Sequence, residues 1–431
     1  MSHEVARLIA ALVPLPCAVV LRTFGHLSVR LQVIAYHTLG IDVSRLFSDM
    51  ILACNTRDLV VKKMVYLYLS AYASSHPDVT LLAINTLQKD CRDEDPMIRG
   101  LALRALTSLR LPSILEYVLQ PLKSALADSS AYVRQAGVLG VLKVWHLSPE
   151  AVKEADYVDA LYGMMRDRDP QVVINCVSAL NEILADEGGI AVNTAIVHYL
   201  LGRLRELSDW GQCLVMDVVA RYTPANEDEL FGIMNLLDGC LKVAHSGVVL
   251  GATKCFLAFT AGLPDIARQV ALRLKTPLLT LCASSSPEVA YAVLSHVSLM
   301  IERQPGVFDD EFKQFFCKYN EPGAVKALKV AALPRIASPT NARDIVAELA
   351  EYVGGVDAEL AIAAVRAIGD IAVRVPPAAE VVVEALLELV EMDAEYVRSE
   401  TVVVMQGASA AWFVHLSHCI ACEACVSYLP H

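Results

Sequence analysis

The chain has 431 residues, of which 55% are hydrophobic and only 19% are charged. Its 36 basic and 48 acidic residues give a net charge of −12, which argues against nucleic-acid binding through phosphate contacts. Its 12 cysteines mostly stand singly, as is typical of small buried apolar residues in a reducing compartment rather than of a disulfide framework. The composition therefore favours a cytoplasmic protein, and its high apolar content favours a large interface with partner subunits.

The first part of the chain, residues 1–40, is an atypical N-terminal segment. The stretch from Leu8 to Leu21 is apolar, but its 14 residues are too few to span a bilayer and include two prolines. A signal peptide is one interpretation. An atypical first helix or an irregular N-terminus is favoured, because the rest of the chain has a cytosolic character.

A short sequence pattern then recurs about every 37 residues: a capping residue or a turn, followed by a helix that begins with an apolar position. Asp or Ser at the N-cap accepts a hydrogen bond from an unpaired amide of the first turn, and proline at the next position loses no helical hydrogen bond. The clearest copies are Asp95-Pro96, Ser130-Ala131, Asp169-Pro170, Ser286-Pro287 and Ala394-Glu395. The pattern predicts helices that begin at residues 59, 96, 131, 170, 209, 247, 287, 323, 358 and 395.

Behind each start runs an apolar stripe at helical spacing, such as Ile98, Leu101, Ala102, Ala105 and Leu109. One hairpin cannot bury such a stripe alone, so neighbouring hairpins are expected to stack. No alternating strand pattern of useful length is present. We therefore predict an all-α fold, a right-handed superhelical solenoid of HEAT/armadillo-like helical hairpins over residues 41–405.

After Met405 the hairpin pattern stops, and residues 406–431 form a cysteine-rich tail. Thiolate and imidazole ligands for zinc are present there, in Cys419, Cys422, Cys425, His415 and His418. A closed structural site normally draws on two separated ligand pairs, whereas these ligands all lie within 11 residues. An incidental cysteine-rich terminus is therefore favoured, and we predict neither a metal nor a cofactor.

Motifs of catalytic sites are missing from the sequence. It contains no nucleophile elbow, phosphate-binding loop, dinucleotide fingerprint or H-E-x-x-H. Helical solenoids usually work through extended surfaces rather than through a catalytic cleft. We predict a protein-binding subunit and not an enzyme.

Two stretches of the chain resemble the large-subunit trunks of adaptor protein complexes. One is Lys-Lys-Met-Val-Tyr-Leu-Tyr-Leu at residues 62–69, and the other runs over residues 82–104. Within the adaptin family the resemblance is to the beta-type subunit, most closely that of the fourth adaptor complex. The residues that carry it lie at 132–140, 175–189, 209–212, 229–254 and 315–317, and the likeness covers about residues 33–404.

This resemblance implies a subunit of a heterotetrameric vesicle coat. Such a subunit would join a second large subunit, a medium subunit and a small subunit, and the assembly would select transmembrane cargo. It would act peripherally on membranes of the trans-Golgi network and of transport vesicles, without clathrin and without nucleic acid.

The resemblance also implies recruitment by an Arf-type GTPase. The positions that match the GTPase contact of related adaptors are Leu81, Ile84 and Asn85, whose spacing places them on one helical face. The alternative for Leu81 and Ile84 is burial between hairpins.

The family continues with further hairpins, a linker and often an appendage, so the chain is expected to be a truncated form with a non-homologous tail. Two other functions stay open at this point. One is another helical-repeat scaffold or transport receptor, and the other is a metal-binding or redox protein that uses the terminal cysteines.

Overall fold

The computed structural model describes residues 26–284 and 286–416. The apolar stretch from Leu8 to Leu21, the tail cysteines, His418 and the side chain of His415 lie outside this description. Within it the chain forms α-helices and short 3-10 turns, without a strand. The helices are α1 His26–Thr38, α2 Phe47–Leu52, α3 Leu59–Tyr72, α4 Pro77–Asp90, α5 Pro96–Leu106, α6 Leu115–Leu126, α7 Ala131–Leu147, α8 Pro149–Glu154, α9 Tyr157–Met164, α10 Pro170–Ile183, α11 Thr194–Gly202, α12 Asp209–Val219, α13 Glu227–Leu237, α14 Ser246–Phe259, α15 Pro264–Ser284, α16 Pro287–Arg303, α17 Gly323–Ile336, α18 Ala342–Val353, α19 Ala358–Arg374, α20 Ala379–Val390 and α21 Glu395–Leu416.

The predicted helix starts are confirmed. Nine of the ten predicted positions are the first residue of a helix, and the remaining helix, α14, begins one residue early at Ser246. We call these ten the column helices: α3, α5, α7, α10, α12, α14, α16, α17, α19 and α21. The recurring sequence pattern therefore predicts where the column helices begin.

The caps themselves follow the predicted chemistry with one exception. The Asp95 carboxylate accepts a hydrogen bond from the Met97 amide at 2.8 Å, and the Asp169 carboxylate accepts one from the Val172 amide at 3.0 Å. The predicted cap by Ser130 is wrong, because its side chain makes no capping hydrogen bond.

The chain divides into two compact units, the first ending at Val218 and the second beginning at Val219. Within the first unit, α3 packs on α5, α5 on α7 and α7 on α10. Within the second, α16 packs on α17, α17 on α19 and α19 on α21. The intervening helices form a second layer, in which α4 packs on α6 and α18 on α20. This arrangement confirms the predicted all-α array of stacked hairpins.

The apolar stripe predicted on α5 and just beyond its end shows how this stacking buries apolar surface. Leu101, Ala102, Ala105 and Leu109 are buried, and Ile98 is half-buried. Because each Å² of apolar surface removed from water contributes about 25 cal/mol, burial of such stripes favours the stacking of neighbouring hairpins.

Close contact between column helices depends on small residues. On α19, a Cβ placed on Gly369 would overlap the side chain of Val404 on α21. Valine has a stiff χ1 in a helix and cannot easily rotate away. A glycine is therefore needed where these two helices approach.

A repeated arginine–aspartate pair links successive hairpins of the first unit. Nε and Nη2 of Arg99 donate to the two carboxylate oxygens of Asp128 at 2.9 and 2.8 Å, and the same atoms of Arg134 donate to Asp167 at 2.7 and 2.9 Å. Each arginine also donates to two backbone carbonyls of the loop before its own helix. One oxygen of Asp128 accepts the Ser130 amide at 2.8 Å, which holds the loop where the Ser130 cap is missing.

These pairs are largely shielded from water and shift the titration of the aspartates. Burial raises the pKa of Asp128 and Asp167, but hydrogen bonds from the paired arginines and from loop amides lower it by more. The pKa of each carboxyl therefore lies below its ordinary value. The pairs act as ionised, bidentate links between hairpins.

Helices occupy parts of both predicted end segments of the chain. Helix α1, which packs on α3, lies inside the atypical segment of residues 1–40. Helix α21 continues past Met405 to Leu416.

Candidate functional site

The residues predicted to meet a GTPase lie on α4, a helix that its neighbours hold firmly. Pro77 occupies its first turn, and the hydroxyl of Thr80 donates to the carbonyl of His76 at 2.8 Å. The helix packs against α2, α5 and α6. One face is therefore fixed in the core and the opposite face lies in solvent.

The far end of α4 is anchored by a buried polar cluster. Asp90, the last residue of the helix, pairs with the Lys62 ammonium of α3 at 2.5 Å and also accepts a hydrogen bond from the Tyr66 hydroxyl. Burial, followed by the bond to Asp90, raises the pKa of Tyr66, so this hydroxyl stays protonated and donates. Because both partners of the ion pair are buried, the cluster fixes α4 against α3.

The structure separates the three predicted contact residues. Leu81 is 42% exposed and Asn85 is exposed, so both can meet a partner. Ile84 is only 2% exposed and belongs to the buried face, together with Leu87. The prediction that all three share one accessible face is not supported, whereas burial, the alternative, describes Ile84.

Leu82, which the sequence reasoning did not select, is the most exposed apolar residue of α4, at 68%. Positions 78, 82, 85 and 89 follow each other by four, three and four residues, so spacing places them on one helical face, but only the structure shows that this face is exposed. Positions 80, 84 and 87 follow the same rule on the buried face.

Next to Asn85 an open groove of about 800 Å³ runs beside the exposed face of α4. Its wall on α4 includes Gln88, whose side-chain amide donates to the Tyr117 carbonyl of α6 at 3.0 Å. The groove is lined by Arg57, Asn85, Gln88, Lys89, Arg92, Asp93, Glu94 and Ile98. A partner that covers Leu82 and Asn85 would reach this groove as well.

The charges around the groove are mixed. Arg57, Lys89 and Arg92 are exposed, and none of them forms an ion pair with another described residue. Asp93 and Glu94 bring negative charge to the same groove, and their backbone carbonyls are held by the guanidinium of Arg99. Leucines beside unpaired cations and amides suit a protein partner with an apolar centre and a polar rim.

Among the described residues, neither grouped metal ligands nor a bilayer-spanning helix is found. In that part of the chain, no three His, Cys, Asp or Glu side chains are grouped so that they could hold a metal ion. The ligands proposed in the tail lie outside it. None of the described helices combines the length and apolar content that a bilayer crossing requires.

Comparison with known proteins identifies the family. A family model described as the adaptin N terminal region matches residues 30–408. Beta-adaptin-like protein A of Arabidopsis thaliana is 44% identical over 386 residues, which cover 87% of this chain and 46% of the relative. AP-4 complex subunit beta-1 of Mus musculus is 42% identical over 393 residues, covering 91% of this chain and 53% of the relative. AP-1 complex subunit beta-1 of Homo sapiens is 37% identical over 381 residues, covering 87% and 40%.

Among solved structures, a homology model of the full-length AP-3 complex in an intermediate open conformation is similar, with a TM-score of 0.57 and 20% identity. The similarity covers 88% of this chain and 66% of that one, and it shows a shared fold. The chain spans about half the length of the curated relatives that it matches. The family match over residues 30–408 argues against the alternative of an unrelated helical-repeat scaffold or transport receptor. The chain belongs to the adaptin family, among the beta-type large subunits of adaptor protein complexes.

Proposed function

We propose that the chain is a structural and cargo-sorting subunit of a heterotetrameric adaptor complex in a vesicle coat. The observation that carries this proposal is the adaptin match over residues 30–408, which spans the stacked hairpins of both units. In this role the chain binds a second large subunit, a medium subunit and a small subunit. It acts peripherally on membranes of the trans-Golgi network, in transport that does not need clathrin.

The test is a pull-down of the tagged chain from cells, followed by mass spectrometry of the associated proteins. Co-purification of the three other subunit types supports the proposal. Recovery of the chain without any of them would contradict it. Immunofluorescence against trans-Golgi and clathrin markers then tests the site of action.

Recruitment by an Arf-type GTPase in its GTP form is the second part of the proposal. We place this contact on the exposed face of α4, with Leu81, Leu82 and Asn85 as contact residues. Ile84 supports the face from the core. The two exposed leucines offer apolar surface at the centre, and the neighbouring cations supply a polar rim.

The critical experiment measures GTP-dependent recruitment of the assembled complex to liposomes. Leu81→Asp combined with Leu82→Asp should abolish recruitment without unfolding the chain, because both side chains already face solvent. The matched control is Leu272→Asp, since Leu272 is 52% exposed on α15 of the other unit. Normal recruitment of the double variant would show that the GTPase does not bind the exposed face of α4. Changing Ile84 instead would be uninformative, because a buried carboxylate destabilises the helix packing.

A further inference from the structure

The second unit contains a groove that the function proposed above does not use. It lies between α15, α16, α17, the 3-10 helix Asp309–Phe315 and the segment that follows this 3-10 helix, and it has a volume of about 350 Å³. Its floor is apolar and includes Leu279, Leu294 and Val297, all of them buried. Ala283 lies exposed at its edge. This volume is at the lower end of the range of about 300–1,000 Å³ that is usual for binding pockets.

The charges that line this groove are all of one sign. Lys313 and Lys318 are exposed, and neither ammonium forms an ion pair with another described residue. The third cation, Lys329, is buried and neutralised by Glu321, whose carboxylate oxygens lie at 2.7 and 2.9 Å. No acidic residue is among the residues that line the groove. The unpaired charges on the residues that line the groove are therefore both positive.

The segment that carries Lys318, residues 316–322, is held in place from several sides. The Lys329 ammonium also donates to the Phe316 carbonyl at 3.1 Å, and the Tyr352 hydroxyl accepts the Cys317 amide at 2.7 Å. The Glu321 carboxylate accepts the Lys318 amide at 3.0 Å. The backbone around Lys318 therefore loses little conformational entropy when a ligand binds.

We propose that this groove binds an acidic peptide segment of a partner protein. One apolar side chain of the peptide fills the space above Leu279 and Val297, and flanking carboxylates pair with Lys313 and Lys318. The groove is partly open to solvent, so a peptide can reach it from outside. This inference rests on the second unit alone and stands whether or not the chain assembles with other subunits.

The experiment measures fluorescence anisotropy of a labelled peptide, Ser-Glu-Glu-Leu-Phe-Glu-Glu-Ser, titrated with the full chain at low salt. Lys313→Glu with Lys318→Glu should raise the Kd by about tenfold or more, since each attraction becomes a repulsion. Ala283→Trp should weaken binding by a similar factor, because the indole occupies the groove. The matched control, Lys63→Glu with Lys123→Glu, makes the same change of net charge at two exposed positions in the first unit and should leave the Kd unchanged.

Peptide and lipid controls distinguish binding in the groove from attraction to the charged surface alone. Replacing the Leu-Phe pair of the peptide by serines should abolish binding, and so should replacing its glutamates by lysines. The proposal is wrong if the original peptide does not bind, if both lysine double variants weaken it equally, or if the serine peptide binds as well. It is also wrong if Lys313 and Lys318 are needed only for sedimentation with phosphatidylserine vesicles, which would assign the rim to a membrane surface.

Discussion

Replacing Arg134 by alanine should destabilise the first unit more than most single changes would. The guanidinium donates two hydrogen bonds to the Asp167 carboxylate and two to the backbone carbonyls of Asp128 and Ser129. The Arg134 and Asp167 side chains are only 16% and 11% exposed, so water replaces little of what is lost. Asp167 would be left as a poorly solvated charge between two hairpins.

The magnitude follows from this geometry. Hydrogen bonds to charged groups contribute about 1.5–3 kcal/mol each, and removing one partner of a buried ion pair destabilises by about 3–5 kcal/mol. Because both side chains of the Arg134 pair keep some exposure, we expect the lower end, about 3 kcal/mol. For a unit of this size that free energy lowers the unfolding temperature by about 6–12 °C.

Thermal unfolding of the full chain, followed by circular dichroism, measures the loss, and hydrogen exchange locates it at residues 128–134 and 167–173. Arg134→Lys keeps the charge but loses the bidentate geometry, so it should fall between wild type and alanine. Arg205→Ala, at an exposed position, is the control and should leave the unfolding temperature unchanged. If Arg134→Ala melts like wild type, or no worse than the control, the arginine–aspartate pairs do not hold the hairpins together.

Three further predictions concern acid, packing and thiol reactivity. The pKa of Asp167 is lower in the folded chain than in the unfolded chain. The ionised Asp167 carboxylate therefore stabilises the fold fully above its unfolded pKa of about 3.9, and this stabilisation is lost as the pH falls through the folded pKa. Asp167→Asn should flatten the acid side of a plot of unfolding temperature against pH. Gly369→Ala should destabilise by about 1–3 kcal/mol in denaturant titrations, because its Cβ would overlap a stiff valine, whereas Gly407→Ala, which meets no atom within 4 Å, should be neutral or stabilising. Burial raises the pKa of the Cys176 thiol to about 12, so mass spectrometry should find it unlabelled by iodoacetamide at pH 8 in the native chain and labelled in urea; labelling in the native chain would contradict the packing of α10.

The organisation of the hairpins could be predicted from the sequence because its signals are local. A side-chain cap such as Asp95 and a proline at the next position act within one turn of the chain. Their recurrence placed nine of the ten column helices at the predicted residue. Ser130, the predicted cap that does not form, shows the limit of prediction from local signals. Its loop is held instead by Asp128, which pairs with Arg99 on the preceding hairpin.

The binding surfaces depended on packing between residues that are distant in the sequence. Helix α4 carries apolar residues on two faces, and spacing alone does not say which of Ile84 and Leu82 points inward. That choice is made by α2, α5 and α6, which cover Ile84 and leave Leu82 in solvent. The lysine-rimmed groove of the second unit likewise joins side chains from separate helices.

The sequence by itself therefore determined the class of fold, the starts of the hairpins and the family, because capping, periodicity and family motifs depend on residues that are close together in the sequence. Only the tertiary structure decided which side chains a partner can reach. Burial arises between hairpins, and no local signal reports it.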